Sequence, residues 1–327
     1  MRSARSTPRR PALTEPNAEQ TNAARPTESR RLFLVIKLTV TAGLLAFLLS
    51  RVDWDVLRTG FLELNVSFVG LAFIAFVGIA IFEVIRMKAV LAAFDLGWVD
   101  LWRMHLVAVF FGTFMPGQVG ADLYRIHFLR RRSHSVDHGL TLILLIRVVG
   151  FLLMSIIGIS GLLAYGPTFE VKFSAAQLQG FFLVSLLITT LLLFFVVMSP
   201  RIRRRLTEFY QQAKQALVSL SQRQLLALLG LSVLVVGSRA LVVDFLTAAT
   251  GSPLHGGEAL FVVSLATLTT LVPISFAGLG LREGAITAGL LFFQVPYEAA
   301  VLVAILGRAF MLAMGAAGGL WYAGYSE

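Results

Sequence analysis

The chain has 327 residues, of which 57% are hydrophobic and only 14% charged, and its mean hydropathy is +0.80. Soluble domains carry about a quarter charged residues. Here the apolar residues instead fall in uncharged blocks at 64–82, 148–169, 173–200 and 259–281, and about 18 or more such residues suffice for a membrane span. The sequence therefore reads as an all-α polytopic membrane protein, and its net charge of +10 reads as cytoplasmic-side Lys and Arg that meet anionic inner-leaflet lipids, not as a nucleic-acid surface.

Residues 1–31 are polar, Pro-containing and Arg-rich without apolar periodicity, which predicts a disordered basic cytoplasmic tail. The tail is too long for the basic region of a signal peptide, so 32–50 is expected as an uncleaved first span running outward. A second span from about Val66 returns inward among Arg86, Lys88 and Arg103. Residues 139–164 run outward, and 178–198 come back to Arg201, Arg203, Arg204 and Arg205. Residues 201–223 then pattern as a basic amphipathic helix, with Leu206, Phe209, Tyr210, Ala213, Leu217 and Leu220 on one side; such a helix lies on the membrane surface. Residues 224–250 go outward and 298–323 return. The expected protein has six full spans, sits in a bacterial cytoplasmic membrane, and keeps both termini in the cytoplasm.

Two apolar stretches do not fit as simple spans. The arm at 104–115 is too short, is followed by MPGQVG, and has basic residues on both sides (Arg103; Arg125, Arg130, Arg131 and Arg132). Pro lacks a donor and Gly permits reversal, so Pro116, Gly117 and Gly120 predict a re-entrant hairpin from the cytoplasmic face. Residues 259–294 are broken at VPISFAGLG by Pro273, Gly278 and Gly280, and their flanks lack Lys and Arg. This second hairpin is expected to enter from outside.

The hairpins match in spacing. Pro116 precedes Arg125 by nine residues and Pro273 precedes Arg282 by nine; Asp137 precedes Arg147 by ten and Glu298 precedes Arg308 by ten. An Arg also precedes each Pro on the preceding helix, Arg86 by 30 and Arg239 by 34. The pattern predicts an inverted-topology repeat, about 66–164 and 224–325, inside a single transmembrane domain at 32–325. Broken helices of inverted repeats form the binding sites of secondary transporters.

The segments MPGQVGADLYRIHFLRRR, LVPISFAGLGLREGAI and LVAILGRAFMLAMGAAGG resemble the flippase-like family, that of the membrane domain of lysylphosphatidylglycerol synthases. The resemblance covers about residues 32–322 and includes the pattern P-x-x-x-x-G-x-G-x-R-E at 273–283. It implies movement of a polar or lipid-linked headgroup, such as that of a phospholipid or lipid-linked saccharide, beside enzymes that build such lipids. The synthases also carry a soluble aminoacyl-transfer domain. With the sequence ending at Glu327, that activity is not expected here.

A charge at a helix centre costs about 2.5–3.5 kcal/mol on insertion scales and needs a partner, a cavity or an escape route. Guanidinium groups grip phosphate bidentately. The candidate path for an anionic headgroup is therefore Arg147 and Arg308, with Arg125 and Arg282 at the hairpins and Arg239 alongside. The alternative is plain ion pairing. Glu83 is three residues from Arg86, Asp244 five from Arg239, and Glu283 adjoins Arg282, whereas Arg147 has no carboxylate nearby in sequence. Arg86 is expected to snorkel to the inner interface. Asp122 could cap the return helix or meet substrate or a proton. Gln118 and Ser275 could bond a headgroup or satisfy freed backbone groups.

Weaker signals include His134 and His138, four apart in a basic loop without a third ligand, and Gly315, Gly318 and Gly319, which suit close helix packing. The absence of Cys excludes thiol catalysis and Cys-ligated metals, and Asp and Glu are too scattered for metal or acid–base chemistry. No cofactor, metal or enzymatic activity is expected. The reading is a transporter. Its alternative is an accessory protein that scaffolds a glycosyltransferase or other lipid-modifying enzyme.

Overall fold

The computed structural model describes residues 28–114, 119–132, 136–165, 200–255, 257–270 and 278–324. Among them the regular elements are all helices: α1 (Glu28–Leu49), α2 (Trp54–Leu62), α3 (Val66–Val90), α4 (Trp98–Phe114), α5 (Val119–Arg132), α6 (Val136–Tyr165), α7 (Pro200–Ser219), α8 (Gln222–Ala249), α9 (Glu258–Thr269), α10 (Leu281–Phe292) and α11 (Tyr297–Gly324). α1 begins inside the stretch expected as tail, at Glu28. The expected span at 178–198 and most of the tail lie outside the described residues.

Four stretches are long and apolar enough to cross a membrane: Val66–Val90, Thr141–Gly161, Gln222–Ala249 and Tyr297–Gly324. At 1.5 Å per residue even the shortest reaches about 30 Å, the thickness of the hydrocarbon core. Their outward faces are apolar, with Phe73 and Ile74 on α3, Leu152, Ile156 and Ile159 on α6, and Val233 and Leu234 on α8 all exposed. That is the surface a lipid-facing bundle presents.

Local signals set where the helices start. The Asp53 carboxylate accepts from the amides of Asp55 and Val56 and opens α2; Asn65 accepts from Ser67 N and opens α3. Ser221 and Gln224 form a capping box at α8, in which each side chain accepts from the other residue's amide. Such reciprocal caps satisfy amides that have no partner within the helix.

The central pair is α3 against α8, running antiparallel. Asn65 N donates to Ala249 O at 3.1 Å at one end, Gln224 Nε2 donates to Ala89 O at 3.1 Å at the other, and Arg239 reaches Glu83 between them. Both hairpins form. α5 folds back on α4 so closely that a Cβ at Gly112 would stand 3.2 Å from the Ala121 Cβ, and α10 folds back on α9 with the same 3.2 Å between Gly289 and Val262. Pro116, Gly117, Gln118, Pro273 and Ser275, at the breaks themselves, lie outside the described residues.

α11 crosses α4 at its glycines. A Cβ on Gly318 would lie 2.0 Å from Leu106 O, and one on Gly319 would lie 2.8 Å from the Phe110 ring. Close helix packing is what these glycines permit, as expected. Gly280, at φ 79°, leads into α10 against Leu44 of α1. α7 leaves Tyr210, Leu217 and Val218 exposed while Ala216 is buried, so part of its apolar face is turned outward, as a surface helix requires.

Candidate functional site: an arginine-lined cavity

The two hairpins and the long helices surround a partly open cavity of about 320 Å³. Its apolar lining is drawn from two packed clusters, one including Met154 and Val236 and the other Met87, Ile143 and Ile146. Within this shell converge six arginines: Arg86 of α3, Arg125 of α5, Arg147 of α6, Arg239 of α8, Arg282 of α10 and Arg308 of α11. Glu83, Glu283 and His105 also line it.

Three carboxylates organise the cations. Glu83 Oε1 accepts from Arg239 Nη2 at 2.9 Å, and its Oε2 lies 3.6 Å from His105 Nδ1. Glu283 Oε1 accepts from Arg308 Nε at 2.6 Å, while its Oε2 accepts from Gly280 N at 2.8 Å. Glu283 is thereby fixed as the capping acid of α10. Asp122, in the first turn of α5, pairs with Arg147 and lies 3.5 Å from Arg125 Nη1. A charge in a low-dielectric interior demands such partners.

The remaining arginines are held differently. Arg86 Nη1 donates to Ser232 Oγ at 2.9 Å, and the Ser232 hydroxyl in turn donates to Leu228 O, leaving a lone pair for the arginine. Arg86 is 7% exposed. It therefore does not snorkel to the interface: the register of α3 on α8 turns it inward, towards Ser232. Arg282 contacts the Met311 sulfur and lies within electrostatic reach of Arg308, Arg239 and Glu283. Its sequence neighbour Glu283 faces Arg308 instead. The Nε atoms of Arg86 and Arg125 are buried and donate to no protein atom among the described residues.

The geometry thus brings together Arg125, Arg147, Arg239, Arg282, Glu283 and Arg308, the charged residues singled out from the sequence, with Asp122 alongside. Gly120 is buried in the first turn of α5, and Gly278 precedes α10. Arg147 does have a carboxylate, 25 residues back on the hairpin's return helix. Sequence reasoning passed over His105, which is buried against Glu83 from a different helix, and undervalued Arg86. Nothing local marks His105, since Glu83 is 22 positions away on α3. His134 lies outside the described residues, and no group of three metal-ligating side chains occurs among those described.

A helical bundle with an apolar exterior and a charged central cavity defines a multi-pass membrane protein. The class is not specific to one activity. The sequence narrows it: the chain belongs to the family of the lysylphosphatidylglycerol synthase TM region, whose model matches residues 34–319. No curated protein and no solved structure matches the chain.

Proposed function

We propose that this chain is a flippase-like carrier which moves an anionic or lipid-linked polar headgroup across the cytoplasmic membrane through the arginine-lined cavity. One observation carries the reading: six guanidinium groups surround one cavity with three carboxylates, which pair with four of them, and the buried Nε atoms of Arg86 and Arg125 meet no protein acceptor among the described residues. Such groups grip phosphate strongly in a low dielectric. The volume, about 320 Å³, falls at the small end of ligand sites; it suits a headgroup while the acyl chains stay in lipid.

The substrate class is a phospholipid or a lipid-linked saccharide. Both termini are assigned to the cytoplasm, where the basic tail and α7 meet anionic inner-leaflet lipids. The family membership supports the carrier reading, and the three carboxylates at the cavity, each engaged with a cation, support a binding site for an anion. The accessory-scaffold alternative leaves the buried arginines without a purpose.

Reconstitution into vesicles holding a headgroup-labelled phospholipid tests the reading. Wild-type protein should expose inner-leaflet headgroups to an impermeant quencher, and Arg147→Ala at equal protein level should not. Equal exposure by both would remove Arg147 from the path.

A further inference from the structure

The cavity's charge also bears on which headgroup fits it. Glu83 is taken by Arg239, Glu283 by Arg308, and Asp122 by Arg147 with Arg125 at its edge. Arg86 rests on a neutral hydroxyl and Arg282 on a thioether. Among the described residues the cavity therefore holds about three more positive than negative charges, with His105 counted as neutral. The hairpin breaks at 115–118 and 271–277 contain no Asp, Glu, Lys or Arg, so they cannot alter that balance.

The excess has a direction. The cations to which no carboxylate is bonded, Arg86 of α3 and Arg282 of α10, come from different elements and line the same space, with Glu83 and Glu283 nearby but bonded to Arg239 and Arg308. Each of the three carboxylates is already bonded to a guanidinium, so a headgroup ammonium would find no uncommitted carboxylate there among the described residues. It would also enter a field that is already positive. A phosphodiester brings one negative charge, which leaves the excess largely uncompensated. A terminal phosphate brings about two and a diphosphate about three.

We infer that the headgroup carried by this chain ends in a phosphomonoester or diphosphate, and that aminoacylated and phosphodiester headgroups are poor cargo. The inference rests on the carrier reading and specifies its substrate. Aminoacyl headgroups such as a lysyl ester carry ammonium charge and are disfavoured by the same balance.

The test uses the full chain in vesicles of neutral lipid doped with one labelled lipid at a time: phosphatidic acid, phosphatidylglycerol or lysylphosphatidylglycerol. A parallel arm follows entry of inorganic phosphate, which separates a lipid-borne phosphate from a free one. Phosphatidic acid should be exposed about tenfold faster than phosphatidylglycerol, as one additional charge-assisted contact predicts, and lysylphosphatidylglycerol should be slowest. Arg282→Gln, which strands no carboxylate, should bring the first two rates together, and Arg282→Lys should restore the gap. Equal or inverse rates in the wild type would overturn the inference and leave the carrier reading standing, whereas passage of free phosphate alone would overturn both. If no lipid moves, the carrier reading fails, and thermal melting of the purified protein decides the rest. Stabilisation by inorganic diphosphate but not by dimethyl phosphate upholds the charge preference; equal response to both overturns it.

Discussion

Arg308 on α11 bonds Glu283 on α10, with Nε 2.6 Å from Oε1 across 25 residues of chain. The same interval separates Asp122 on α5 from Arg147 on α6, which also form an ion pair. In each case an acid in the first turn after a Pro/Gly break holds an arginine on the next long helix. The matched hairpins thus carry matched charges, and each arginine is fastened to the element that precedes it.

Glu283→Ala should destabilise the protein strongly. Its carboxylate is 7% exposed and Arg308 10%, and removing one partner of a buried pair costs about 3–5 kcal/mol. Thermal melting in detergent of Glu283→Ala, Arg308→Ala and the double variant checks this. The double variant should lose less than the two single losses combined, because it leaves no buried charge unpaired. Strict additivity would mean that the pair does not act as a unit.

Ser232→Ala should also be costly for a residue so small. The hydroxyl is fully buried and receives Arg86 Nη1 at 2.9 Å. A hydrogen bond to a charged group contributes about 1.5–3 kcal/mol, so a loss of stability of that size is expected on melting. Ser160→Ala, where the hydroxyl is exposed and bonds only its own helix, should change little.

Gly318→Ala should separate α11 from α4. The added methyl would stand 2.0 Å from a backbone carbonyl, which cannot turn aside as a side chain could. Overpacking of this kind costs about 1–3 kcal/mol or more. Gly324→Ala and Gly307→Ala, with nothing within 4 Å of the added atom, should melt close to the wild type. Loss of headgroup transport in Gly318→Ala with normal melting would contradict a packing role.

Orientation can be read by cysteine labelling, since the chain contains no cysteine of its own. If both termini are cytoplasmic, as proposed, Ser135→Cys should react only from the cytoplasmic side and Ser252→Cys only from outside. Labelling of Ser135→Cys from outside would overturn the assignment of the first hairpin to the cytoplasmic face.

The places where the sequence was legible and where it was not have a physical pattern. Helix positions followed from hydropathy and breakers: α9 and α10 fall within 259–294 to within a residue and flank the Pro273 break. The membrane class and the family were likewise readable, because long uncharged blocks and the P-x-x-x-x-G-x-G-x-R-E pattern are local. Pairing was not. Sequence neighbours suggested Glu83 with Arg86 and Glu283 with Arg282, yet Glu83 turns to Arg239 and Glu283 to Arg308. Which face of α3 meets α8, and which turn of α10 meets α11, is decided by packing between helices far apart in the chain. Arg86 shows the consequence. Its position suited snorkelling, and only the register of α3 against α8 makes it a cavity residue.

The central claim is that headgroups pass along the buried arginines. Its most direct test is the rate at which an impermeant quencher reaches inner-leaflet labelled phosphatidic acid in reconstituted vesicles. Arg308→Gln is compared with Arg204→Gln at matched protein content; the latter site is exposed on α7 and paired with Glu208 one turn away. The account predicts that Arg308→Gln slows exposure about tenfold or more, as loss of a charge-assisted contact implies, while Arg204→Gln matches the wild type. Equal rates for all three proteins would contradict it.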